Sequence, residues 1–74
     1  MEEIVKVSKV SYGMMGSTVF TQDKDEFFIP IEKRELKNKV RKYHRTKLIF
    51  NYHTLSGTNF KVIDEITKAK GGIR

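Results

Sequence analysis

The chain has 74 residues, no cysteine and a formal net charge of +6, with 38% apolar residues and eight aromatic rings. That length suits one domain, and without cysteine its core has neither disulfides nor thiolate-bound metal to staple it. The apolar content is too high for a disordered tail, and no apolar run approaches the length of a membrane span.

The charge is unevenly placed. Residues 33–47 hold eight Lys or Arg against the single acid Glu35, a local excess of +7, so the remaining residues sum to −1. A near-neutral body with one basic segment points to a polyanion or an acidic protein surface as partner. The alternative is a solvated helix face that serves solubility alone. The N-terminal "MEEIVKV" is acidic and strand-like, unlike a signal peptide. With the missing cysteines, it suggests a cytoplasmic protein.

In chain order, residues 2–12 are rich in β-branched side chains and read as a long first strand. Its alternation breaks between Val7 and Val10, which predicts a bulge or a sharp bend. "GMMGS" is a turn, "STVFTQ" (17–22) a second strand, and "DKD" a second turn. "EFFIPI" (26–31) reads as a third strand, with Pro30 at an edge or at the strand end because it cannot donate to a ladder. Alternation puts Phe27, Ile29 and Ile31 on the core face and turns Phe28 and Pro30 outward.

From residue 32 to 45 the period changes. Leu36, Val40 and Tyr43 share one helical face, and Arg34, Lys37, Arg41 and Arg45 share the opposite one. Glu32 and Glu35 near the start and cations toward the end both suit the helix dipole. Residues 46–54 form a fourth strand with Leu48, Phe50 and Tyr52 alternating inward. "LSG" turns the chain into a fifth strand at 58–66, with Phe60 and Val62 on one face. The ordered core is expected over about residues 3–67, with 68–74 a frayed tail.

The order is thus β-β-β-α-β-β, mainly β. Five short strands in so small a chain hide their edges by curling into a barrel, and the basic amphipathic helix between strands three and four would plug one end. "DEFFIPIEKREL" followed by "KLIFNYHTLSGTNFKVIDEI" resembles the small OB-fold nucleic-acid binders, in outline the cold-shock domain, and in size and basic connection bacterial translation initiation factor one. The likeness covers roughly residues 4–66 and is one of pattern. It implies exposed aromatics on strands two and three that stack nucleobases, at the positions of Phe20 and Phe28. An SH3-like or Sm-like barrel is the structural rival, though it usually lacks a helix of this length.

Aromatics interleaved with cations suit single-stranded nucleic acid, because rings stack on any base and cations follow the phosphates. Phe28, Phe20 and Tyr12 are the candidate rings. Lys9, Lys24, Lys47 and His53 are the candidate border, and Arg34, Lys37, Arg41 and Arg45 a phosphate-facing stripe. Phe28 meets a base, a partner protein, or a loop or tail of its own chain. The rival function is a protein-interaction module or regulator that docks the basic helix on an acidic face of a larger machine such as a polymerase or ribosome. The apolar stripe is too thin to favour a membrane-surface helix. His44 and His53 lack metal-ligand spacing, and no nucleophile–base arrangement or phosphate-cradling glycine loop is present. The expectation is a binder without catalysis, cofactor or metal.

Overall fold

A computed structural model of the chain describes residues 1–43 and 46–69. Five strands and one helix follow in the expected order: β1 (Glu2–Tyr12), β2 (Gly16–Thr21), β3 (Glu26–Pro30), α1 (Arg34–Tyr43), β4 (Lys47–Thr54) and β5 (Lys61–Lys68). The strands close into a ring in the order β1-β2-β3-β5-β4, with β4 returning to β1. All neighbours are antiparallel except β3 and β5, which run parallel and register at Phe28 and Val62.

The ring closes because β1 serves two partners. Its first half, Glu2 to Lys6, pairs with β4, and its second half, Val7 to Tyr12, pairs with β2. The register shifts between Val7 and Lys9, where the sequence breaks its alternation. One extra residue there bends the strand and keeps Val10 on the inward side with Val5 and Val7. A second shift lies between Asn51 and Tyr52 of β4, opposite Asp64 of β5. It lets Ile63 and Ile66, three residues apart, both point inward with no exposed surface.

The interior is filled by Val5, Val7, Val19, Phe27, Ile29, Leu48, Phe50, Ile63 and Ile66, with Tyr52 nearly enclosed. Phe27 sits edge-to-face on both Phe50 (centroids 5.0 Å) and Tyr52 (5.1 Å), a geometry that suits the quadrupoles of the rings. Leu36 and Val40 of α1 are buried in this core and Tyr43 packs against it, so the predicted apolar face of the helix is the packed one. Thr46 ends the helix by donating from both its backbone N–H and its hydroxyl to the Tyr43 carbonyl.

Two expectations need correction. Ile31 is 49% exposed rather than core, because β3 ends at Pro30 and the Ile31 N–H leaves the ladder to bond the Met15 carbonyl. The fifth strand starts at Lys61, three residues later than the pattern suggested. Residues 55–60 form a turn held by Thr58 N–H to Leu55 C=O, Leu55 N–H to Phe60 C=O and Phe60 N–H to the Thr58 hydroxyl. Gly57 supplies the positive φ of 76° that this turn needs. Phe60 is therefore a loop residue, 47% exposed, and not a strand partner of Val62. At the other end of β5, Lys68 registers with Leu48, and the Ala69 N–H donates to the Lys47 carbonyl.

Candidate nucleic-acid interface

The outer face of β2 and β3 carries the candidate site. On β2 the residues between the buried Ser17, Val19 and Thr21 are Thr18 and Phe20, both half-buried. On β3 the outward residue between the buried Phe27 and Ile29 is Phe28, also half-buried. Thr18 registers with Phe28, and Phe20 with Glu26, so the two outward rings are diagonal neighbours on one surface.

Phe28 is positioned from two sides. Its ring lies over the backbone of Gly16, so close that a Cβ there would stand 2.5 Å from Phe28 Cζ. On the other side it meets the ring of Phe60, with centroids 5.4 Å apart and planes tilted by 40°. Phe28 and Phe60 line one groove with Thr18, Lys24 and Asn59. Sequence reasoning missed Phe60, because the alternation "TNFKVI" reads as a continuing strand. The signal was the turn chemistry of "LSGTN", which extends the loop up to the ring.

Charge around the groove is mixed. Lys24, at the left-handed φ of 68° in the β2–β3 turn, contributes a cation to the groove lining. Lys61 is committed to the fold: its ammonium stands 3.6 Å from Asp25 and covers the rings of Phe27 (4.9 Å) and Tyr52 (5.7 Å). Glu26 gives this edge a carboxylate. The cation beside Phe20 comes from β1, where Lys9 registers with Phe20 and places its Nζ 5.0 Å from the ring centroid.

The other predicted residues fall elsewhere. Tyr12 does not join Phe20 and Phe28. It registers with the buried Ser17, on the inward side of β1, and its 56%-exposed ring leaves the ring mouth to meet Lys37 Nζ at 5.4 Å. Lys47 registers with Lys6 across the β1–β4 pair and lines a shallow hollow with Ile4 and Asp23, outside the aromatic groove. His53 registers with Val62, the neighbour of Phe28, but its Nδ1 lies 2.8 Å from Asp64, so its role is that of a paired imidazole. On α1, Arg34 and Arg41 are exposed, whereas Lys37 is half-buried against Tyr12. Arg45 lies outside the described residues.

The cations of α1, with Lys33 just before it, point two ways. Lys33 and Lys39 face β5, where the second bulge presents two carboxylates. Lys33 stands 3.8 Å from Asp64, and Lys39 donates to Glu65 at 3.2 Å and to the Ile66 carbonyl at 3.0 Å. The Ile66 N–H, and next the Lys39 ammonium, hold the Glu65 carboxyl below the usual carboxylate range. Lys37 points the other way, to the Tyr12 ring of β1.

No family model, no curated protein and no solved structure matched this chain.

Proposed function

We propose that this protein binds single-stranded nucleic acid, RNA or DNA, without catalysis, through an OB-like five-stranded barrel. The observation that carries the reading is the pairing of Phe28 with Phe60, with Phe20 diagonal to it, on the outer face of β2 and β3. In OB folds the face of strands two and three and the loop between strands four and five are where oligonucleotides lie. Here that loop supplies Phe60. Stacking on such rings is tolerant of base identity, and Lys9 and Lys24 stand where a backbone following the rings would pass.

Direct titration of the protein with short oligo-U and oligo-dT at two salt concentrations tests this. Phe28→Ala and Phe60→Ala are each expected to weaken binding by about 1–3 kcal/mol, the usual cost of losing one base–aromatic stack. Affinity is expected to fall as salt rises. Retention of full affinity in both variants, or no binding at low salt, would defeat the reading.

A second reading has its own observation. Met14 (94% exposed) and Met15 (79%) stand at the β1–β2 turn beside exposed Ile31, whose N–H bonds Met15, and Arg34 opens the helix just beyond. Thioethers and an aliphatic side chain offer no stacking face, but they adapt well to a protein surface. This favours docking of that end on an acidic protein partner. Binding of oligonucleotides that is indifferent to Met14→Ser/Met15→Ser would separate this end from the aromatic face.

A further inference from the structure

The sequence left open whether the aromatic face and the basic helix meet one partner or two. Lys9 answers for their geometry. Its ammonium covers Phe20 on the outer face, and its strand segment also lines a second groove, between β1 and α1. The floor of that groove is apolar, from Val7, Val10 and Val40, and Tyr12 and Arg41 stand along it. The groove exists because of the β1 bulge. Past Val7 the strand leaves β4 and pairs with β2 alone, so its far edge turns toward the helix. Among the described residues, every ionisable side chain lining the groove other than the Tyr12 phenol is a cation, and Lys37 adds another over the Tyr12 ring.

We propose that this β1–α1 groove is a second subsite for the same nucleic-acid strand, which would pass from the Phe28–Phe60 pair over Phe20 and Lys9 into the groove. The inference rests on the reading given under Proposed function. Tyr12 there offers a ring to a base, while Lys37 and Arg41 accompany the phosphates on either side of it. The valine floor gives an unstacked base or sugar an apolar surface. Lys9 and Tyr12 are three residues apart on an extended strand, about 10 Å, so the two subsites are separated by only a few nucleotides. Among the described residues the groove lining holds no carboxylate, which sets it apart from the first groove, where Asp25 and Glu26 are present. Phosphate contact is thus assigned chiefly to the second groove and base stacking chiefly to the first.

The test compares oligo-U and oligo-dT of about 4 and about 12 nucleotides, lengths within the range of one OB fold, against wild type, Phe28→Ala, Tyr12→Ala and Arg41→Gln. Wild type is expected to bind the longer strand more tightly than its added register positions alone would give. Tyr12→Ala and Arg41→Gln are expected to weaken the long strand by about tenfold and leave the short one unchanged, and Arg41→Gln to lower the salt slope of the long strand by about one. Phe28→Ala is expected to weaken both lengths. Equal denaturation midpoints for the two groove variants and wild type would show that the loss is one of contact. If short strands bind through Phe28 but the groove variants keep the full length gain, the second subsite is refuted and the first reading stands. If neither length binds, the first reading is refuted and this one falls with it.

Discussion

Gly16 should be the least replaceable glycine among the described residues, and the reason can be separated into backbone and space. Its φ of 154° lies in a region that side chains rarely adopt, and a Cβ there would run into the Ile29 carbonyl and the ring of Phe28. Gly57 has a φ of 76° but nothing within 4 Å of its would-be Cβ. Gly57→Ala should therefore cost only the left-handed penalty, about 1–2 kcal/mol. Gly16→Ala should carry backbone strain of about 1–3 kcal/mol and a comparable overpacking cost, about 2–6 kcal/mol together. A domain of this length has about 4–11 kcal/mol in total, so this single methyl group would remove a large share of it. Urea denaturation of both variants, with unchanged m-values, is the assay. Adding Phe28→Ala to Gly16→Ala should recover only part of the loss, because the Ile29 carbonyl remains in the way. Equal costs for the two glycines would refute the steric account.

The core should be intolerant at Phe27, where Phe27→Ala removes two edge-to-face contacts and is expected to cost about 3–5 kcal/mol by thermal or urea denaturation. Lys61→Ala should lower stability by about 1 kcal/mol even at high salt, where the Asp25 pair is screened but the cover over Phe27 and Tyr52 is missed. Because the folded state depresses the Glu65 pKa, its contribution is complete above the ordinary carboxylate pKa and is lost as pH falls through the folded value. Acid titration of stability should therefore show a shallower low-pH decline in Glu65→Gln than in wild type, and parallel curves would refute the assignment.

Much of this architecture was legible because local pattern and final packing agree. Leu48, Phe50 and Tyr52 alternate inward as read, the helix buries Leu36 and Val40, and the broken alternation after Val7 is the β1 bulge. The mirror signal on β5, where Ile63 and Ile66 are three apart, marks a second bulge. The candidate site was less legible, because its geometry comes from contacts distant in sequence. Phe28 could be turned outward from its neighbours, but nothing local to it foretold Phe60. Tyr12 obeyed the bulge rather than the face of Phe20, since one extra residue reverses every later side chain. His53 and Asp64 meet only because β4 and β5 pair, and that pairing gives the His53 ring a carboxylate partner that its own neighbours in sequence do not foretell.

The seam between β3 and β5 has a consequence for kinetics. It joins strands separated in the chain by α1 and β4, and it is the one parallel pairing in the ring. Parallel pairing is slightly less stable per residue, and these two strands register at a single pair, Phe28 and Val62, so this seam is expected to form late and open early. Phe28 belongs to one side of it and Phe60 leads into the other. A molecule held across both rings would act as a clasp on that seam, so occupancy should slow amide exchange of β3 and β5 more than of the β1–β2 hairpin. Under the proposed function, the domain and the strand it holds would share one closure event, and the affinity of the aromatic pair would depend in part on how often the ring opens.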